Sequence, residues 1–553
     1  MISSSSSARG RAFSTARDAK KTARIWPKVA VAVPIAFGGL YLTNDTVHDT
    51  TNHVLDAAGR VSVVTMATVR CFQIYKKALS ADYADDEKRR ADALAKAHKS
   101  AALITLRALE KNGGIYIKLG QHISALTYLL PREWTDTMTP LQDKCPRSSL
   151  EEIERMFEHD MGVPLGDYFS AFDPEPVGVA SLAQVHIATV RTTGEKVAVK
   201  FQHPSLARFV PLDVYMTQTV FSLMNRVFPE YPMSWLGEEL NTSIWVELDF
   251  TNEAVNAQKT AETFRDLRSL TALRVPGIVS AEKRILIMEY VAGARLDDLA
   301  YMKQHRINTG EVSTCLSHIF NNMIFSPNFG LHCDPHLGNL AIRAVSASDS
   351  DSGHNFEIVL YDHGLYRYIP LQMKRDYAHF WLSILDNDVP KMKEYAEKFC
   401  GVQGDQKFRI FASAITGRDP DVVLNYDISK ARSEEEVLNI QSQLQPSGVL
   451  EDLMSLLASM PRMVLLILKT NDLTRNLDET LDHPLGPERT FLILANYCAK
   501  VVYEEAIDAG RKLYRRHSWG RLRSDISAWV AYQKRLGSLY FYDVVMFFRN
   551  LIA

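Results

Sequence analysis

Paired cysteines, a large net charge of either sign and an internal repeat are all missing from this 553-residue chain. Its six cysteines, at 71, 145, 315, 333, 400 and 498, are widely scattered, which suits reduced thiols rather than a disulfide framework or a zinc site. Lys and Arg number 63 against 65 Asp and Glu, a net charge of -2, so no global basic surface argues for nucleic acid as a partner. What is present is ordinary globular material, 46% hydrophobic and 23% charged, in a chain long enough for two or more packed units.

The first residues differ in kind. Met1 to Lys28 carries five serines in a row and seven basic residues, with Asp18 as its only acid, the composition of a mitochondrial transit peptide. Val29 to Leu42 follows as an apolar run of fourteen. As a helix it reaches ~21 Å, or ~27 Å when counted from Ile25 with Lys28 snorkelling, against a hydrocarbon core of ~30 Å. The expected order is therefore a transit peptide over residues 1–28 and a transmembrane segment over 29–45.

Beyond it, Ala81 to Leu130 reads as helical, interrupted at Gly113-Gly114 and ended by Pro131. Leu182–Arg191 and Lys196–Gln202 read as a β-hairpin turning at Thr192 to Glu195, and Leu273–Val279 and Arg284–Tyr290 as two further strands. Asp213–Val227 and Glu238–Leu267 read as long helices, and the chain after Asp388 is mostly helical. Ser346 to Asn355 is a solvent loop between two short strands. A small β-rich unit followed by a larger helical one gives an α+β, two-lobed architecture with a cleft between the lobes.

Three motifs carry chemistry. Val197-Ala198-Val199-Lys200 closes a strand with a lysine, which alone is a weak signal. His332-Cys333-Asp334-Pro335-His336-Leu337-Gly338-Asn339 then sets Asp and Asn five positions apart on one loop, the spacing that kinase catalytic loops use for an acceptor-orienting Asp and a metal-holding Asn. Ile358-Val359-Leu360-Tyr361 delivers Asp362-His363-Gly364, in the place of a metal-binding Asp-Phe-Gly. Lysine, loop and aspartate in that order form a strong joint signal for phosphoryl chemistry. His332, Cys333, His336 and His363 also admit a reading as a zinc cluster, but no second matched pair supports one.

The remaining motifs resemble one family, the UbiB or aarF-domain-containing atypical kinases, over about residues 110 to 370. Lys118-Leu119-Gly120-Gln121 resembles its Lys-x-Gly-Gln signature, Val177 to His186 its alanine-rich nucleotide loop, and Glu247-Leu248-Asp249 its Glu-x-Asp motif. The resemblance implies a protein-kinase-like fold with helical N- and C-terminal extensions that binds ATP and Mg²⁺. It implies that Lys200 contacts the α/β-phosphates and pairs with Glu253, and that Lys118 lies across the cleft on Glu247 with Gln121 near the phosphates. It further implies that Gly178, Ala180 and Ser181 cover the nucleotide and that the hinge from Glu289 to Val291 touches adenine. Asn339 and Asp362 would hold Mg²⁺ and Asp334 would orient the acceptor. On one continuous helix Glu247 and Glu253 point ~120° apart, so two glutamates on adjacent faces could serve two lysines.

Three departures bear on activity. Gly178 replaces the first loop alanine, His363 replaces the usual Phe, and no Ala-Pro-Glu segment follows Asp362 to dock a protein substrate. Ordinary protein phosphorylation is therefore the less favoured activity. An ATPase or a small-molecule or lipid kinase, anchored in the mitochondrial inner membrane and supporting coenzyme Q or lipid homeostasis, is the expected function. A nucleotide-binding pseudokinase scaffold and a phosphotransferase of the aminoglycoside or choline kinase type are the alternatives. The expected partners are ATP and a membrane lipid or quinone-pathway component. The expected domains run 46–160 (helical extension), 161–291 (first lobe), 292–400 (second lobe) and 401–553 (helical C-terminal extension).

Overall fold

The computed structural model describes residues 44–83, 86–125, 130–142, 145, 147–229, 233–346, 351–416, 456, 460–481 and 486–552. The expected transit peptide and nearly all of the expected transmembrane segment lie outside them. Among the described residues no helix is long and apolar enough to cross a membrane. The chain divides into two compact units, Met1–Val69 and Arg70–Ala553. The first contains the opening turns of the helix Asp45–Leu79, and the second contains everything considered below.

The second unit holds a six-stranded antiparallel sheet built from β1 (Phe169–Phe172), β2 (Gly178–Val179), β3 (Ala183–Val190), β4 (Lys196–Gln202), β6 (Ile278–Ala281) and β7 (Ile285–Glu289), ordered β1-β3-β4-β7-β6 with β2 on β3. The β3–β4 hairpin forms where expected, and Gly194 supplies the positive φ (69°) of its turn. Side chains alternate along β4. Val197, Val199 and Phe201 enter a core with Ile153, Phe157, Phe169 and Ile287, so Ala198 and Lys200 face the other way. That opposite face is covered by the helix Phe250–Phe264, whose Phe250 and Ala254 pack with Leu286 and Met288. Strand periodicity thus aims Lys200 at the helix that bears Glu253.

Two expectations need correcting here. Glu238–Leu267 is not one helix: Ser234–Glu247 ends at Leu248, and Phe250–Phe264 starts afresh, with the Asp249 side chain accepting from the Thr251 N–H at 3.1 Å as its N-cap. The 120° separation on a continuous helix therefore does not apply. Leu273–Val279 is not one strand either. Pro276-Gly277 divides it, and β5 (Leu273–Arg274) leaves β6 for a second sheet, where it pairs with β11 (Phe356–Leu360), which is followed across the sheet by β10 (Leu340–Ala344) and β8 (Ala294–Arg295).

In that second sheet β10 (Leu340–Ala344) pairs antiparallel with β11 (Phe356–Leu360), with Leu340 opposite Leu360. This register sets the residue before β10, Asn339, against the residues after β11, and the Tyr361 N–H donates to the Asn339 carbonyl at 3.0 Å. A short pair, β9 (Leu331–His332) with β12 (Tyr366–Arg367), closes the loop from behind. The almost wholly buried helix Thr309–Phe325 forms the base of the helical lobe, packed with Leu371–Leu385 and Gly486–Leu513. On the other side, Glu87–Asn112 and Ile115–Ala125 join through Gly113 and Gly114, both at positive φ. Gly120 is required by a close approach: a Cβ there would stand 2.1 Å from Leu141 Cδ1.

Candidate active site

Two buried lysine–carboxylate groups meet at the junction of the lobes. Lys200 Nζ lies 2.7 and 2.9 Å from the two oxygens of Glu253 and 3.1 Å from Asp362 Oδ2. Lys118 Nζ lies 2.9 Å from Glu247 Oε2 and 3.4 Å from Asp334 Oδ2. The break at Leu248-Asp249 is what separates the two glutamates. Glu247 ends one helix facing Lys118, and Glu253 begins the next facing Lys200.

The β10–β11 hairpin and the loop before it hold the remaining groups. Asn339 Nδ2 donates to the Asp334 carbonyl at 3.1 Å, and the Gly364 N–H donates to Asp362 Oδ1 at 2.9 Å. His332 ties loop to aspartate: its Nδ1 accepts from the Asp334 N–H at 3.2 Å, so its Nε2–H donates to the Asp362 carbonyl at 3.0 Å. His363 Nε2–H donates to the Leu360 carbonyl at 3.1 Å and Nδ1 meets the Tyr366 hydroxyl at 3.0 Å. Both imidazoles are committed to the scaffold. No group of three or more His, Cys, Asp or Glu suited to a metal ion exists among the described residues.

One site residue went unseen in the sequence. Lys469, 6% exposed, comes from the helix Arg462–Thr480 and sets its Nζ 2.9 Å from Asp334 Oδ1. Leu466 of the same helix packs on Cys333 and Leu365, and Thr470 Oγ1 reaches the His332 carbonyl at 3.5 Å. Both oxygens of Asp334 are therefore held by ammonium groups. The available signal was a lone lysine within Val464–Thr470, seven consecutive buried residues.

The charges explain one another. Burial alone pushes the Asp334 carboxyl up, but Lys469 and Lys118 outweigh it and hold it well below the ordinary range. Burial opposes the charge on Lys118, and Glu247 and Asp334 reverse that and raise it. Asp362 is lowered because Lys200 and the Gly364 N–H outweigh burial. Burial pushes Glu253 up to about 7, with Lys200 pulling the other way. Three lysines (Lys118, Lys200, Lys469) face four acids (Glu247, Glu253, Asp334, Asp362). Glu247 Oε1 is buried with no hydrogen-bond partner among the described residues. A hard cation fits an acid-rich cluster with an unpartnered oxygen.

The other expected residues divide. Ser181 Oγ donates to Gln121 Oε1 at 3.3 Å while Gln121 Nε2 donates to the Leu141 carbonyl at 3.0 Å, so Gln121 braces the loop after β2. Gly178 in β2 and Ala180 in that loop are exposed. The expected hinge residues have partners within the protein. The Glu289 side chain turns away to Arg274 Nη2 (2.5 Å) and the Gly277 N–H (3.1 Å), and the Val291 carbonyl accepts from the Tyr361 hydroxyl at 2.8 Å. The Glu289 carboxylate and the Val291 carbonyl are thus engaged within the protein.

A lysine on an antiparallel sheet, a helix-borne glutamate and an Asp–Asn loop beside a second aspartate define the class: a two-lobed, protein-kinase-like α+β fold. Comparison with known proteins agrees. Residues 140–396 match the ABC1 atypical kinase-like domain. The chain is 55% identical over 517 residues to ABC1 family protein MCP2 of Saccharomyces cerevisiae, covering 93% of this chain and 90% of that one. It is 34% identical over 503 residues to AarF domain-containing protein kinase 1 of Mus musculus, covering 90% of each. Among solved structures, a Mycobacterium tuberculosis protein in complex with erythromycin aligns over 69% of this chain and 94% of its own, at 19% identity and a TM-score of 0.38. The chain belongs to the ABC1/AarF (UbiB) family of atypical kinases.

Proposed function

We propose that this atypical kinase binds ATP with Mg²⁺ in the cleft and either hydrolyses it or transfers its phosphoryl group to a small or lipid-like acceptor. The observation that carries this reading is the Lys200–Glu253–Asp362 cluster, with Asp334 and Asn339 on the adjoining loop. Lys200, kept charged and fixed by Glu253, contacts the α/β-phosphates. The loop at Gly178, Ala180 and Ser181 covers them, braced by Gln121. Asp362 and Asn339 are the residues that would hold Mg²⁺, which when bound supplies neutralisation of phosphate charge. Asp334 orients the acceptor hydroxyl or water. Lys118, laid between Glu247 and Asp334, narrows the acceptor side of the cleft and disfavours a folded protein as substrate.

Residues 1–28 as a transit peptide and 29–45 as a membrane anchor complete this reading, which places the enzyme at a mitochondrial membrane in coenzyme Q or lipid homeostasis. A second reading, a nucleotide-binding scaffold, is favoured by one observation: both Asp334 oxygens are already occupied by Lys118 and Lys469. Phosphate release from Mg-ATP by the purified chain, with and without membrane lipid, separates the two. Release that is lost in Asp334→Asn supports the enzyme, and nucleotide binding without release supports the scaffold.

A further inference from the structure

The C-terminal helix Trp519–Ile552 packs inward with one face and leaves the opposite face apolar and uncovered. Inward, Tyr532 stacks on Tyr503 with ring centroids 4.8 Å apart, Leu539 joins Leu492 and Ala495, and Arg535 binds both oxygens of Asp386 at 2.5 and 2.6 Å. At ~100° per residue these three positions share one side of the helix. Trp519, Leu522, Ile526, Trp529, Tyr540 and Phe541 fall within an arc of ~120° on the other side. Each is at least half exposed, Trp519 at 86% and Phe541 at 70%. Single exposed apolar residues are normal on a protein surface, but six sharing one face of one helix mark an interaction face.

Charge selects the occupant. From Arg511 to Ser524 the sequence holds six basic residues (511, 512, 515, 516, 521 and 523) and no acid. A tight turn with His517 at φ 64° and a Ser518 Oγ that accepts from the Arg521 N–H at 3.2 Å sets this basic run at the start of the apolar stripe. Arg521 is paired with Asp525 at 2.8 Å, whereas Lys512, Arg515, Arg516 and Arg523 are exposed. A second copy of the chain docking in parallel through the same face would bring like charges together. An anionic surface would meet them. The helix is not apolar enough to cross a bilayer, but aromatic residues on one face with arginines beside them suit the interfacial plane.

We propose that the outer face of Trp519–Ile552 docks on the surface of an anionic lipid bilayer, lying along it rather than through it. This inference is independent of the kinase reading and of residues 29–45. The test uses the full chain with vesicles of phosphatidylcholine and phosphatidylglycerol carrying brominated acyl chains, which quench tryptophan at the depth of the bilayer. Wild type and Trp519→Phe/Trp529→Phe are compared, so that the other tryptophans cancel in the difference. Excess quenching in wild type is expected on anionic vesicles and not on pure phosphatidylcholine. Arg515→Gln/Arg516→Gln should raise the lipid concentration needed for half of that excess by about tenfold or more. Equal quenching in the two chains overturns the proposal, as does a lipid-free, concentration-dependent dimer that the tryptophan substitutions abolish.

Discussion

Lys469 Nζ lies 2.9 Å from Asp334 Oδ1 and joins the C-terminal extension to the Asp334–Asn339 loop across 135 residues of sequence. Lys118 takes the other oxygen from the N-terminal extension. The aspartate that kinase-like chemistry uses to orient an acceptor is thereby restrained from both sides, by elements outside the two lobes.

Replacing Lys469 tests that restraint. Lys469→Met keeps the apolar contacts of its helix and leaves Asp334 with Lys118 alone, which makes the carboxylate more basic and freer to move. Phosphate release should rise several-fold, and the double variant Lys469→Met/Asp334→Asn should release none. The loss of stability should fall short of the ~3–5 kcal/mol for breaking a buried pair, because Lys118 still compensates the charge. Turnover and unfolding both unchanged from wild type would show that the contact restrains nothing.

Lys118 has the larger task, since Glu247 depends on it. Lys118→Ala strips Glu247 of its cation while Oε1 already lacks a partner among the described residues, so a destabilisation of about 3–5 kcal/mol is expected. The same change clears the acceptor side of the cleft, and autophosphorylation should appear. Lys200→Ala should weaken nucleotide affinity with no new activity. Melting temperature, nucleotide affinity and autophosphorylation measured on both variants decide the matter. A Lys118→Ala chain silent in all three removes the occluded-cleft mechanism and leaves the fold intact.

His363 predicts an acid sensitivity. It is buried against Tyr366, and burial, with His332 adding to it, lowers its pKa from 6.5 to about 3. The folded value is below the unfolded one, so only the unfolded chain takes up the proton as pH falls beneath 6.5. The stabilisation is complete above 6.5 and is lost progressively toward 3. Between pH 7 and pH 5 this amounts to ~2 kcal/mol from one group. Denaturant unfolding at both values should show wild type losing about that much more than His363→Phe. Parallel losses in the two chains would mean that His363 is not held neutral.

Much of the site was legible because its signals are local. The Asp-to-Asn spacing in one loop, the lysine closing a β-strand and the Asp-x-Gly after another each lie within a few residues, and the β10–β11 register assembles two of them. The helix break at Leu248-Asp249 was legible in principle, since Asp249 before Phe-Thr-Asn-Glu is a good N-cap, but the helical periodicity on both sides masked it. The turn of Glu289 toward Arg274 depends on a strand that changes sheets at Pro276-Gly277, a tertiary outcome without a local signature. Lys469 was hidden for a similar reason: a lysine inside an apolar helix announces a buried counter-ion but not which one.

We predict that Asp362, beside Lys200, carries Mg²⁺-dependent nucleotide binding, which ligand-induced thermal stabilisation measures most directly. Wild type should gain stability with Mg-ATP, by ~2.7 kcal/mol at a ligand concentration a hundredfold above Kd, and lose most of that gain when EDTA replaces Mg²⁺. Asp362→Asn should keep its melting behaviour without ligand to within the effect of losing one acceptor, and should gain nothing from Mg-ATP. Full Mg-ATP stabilisation in Asp362→Asn, or none in wild type, would contradict the account.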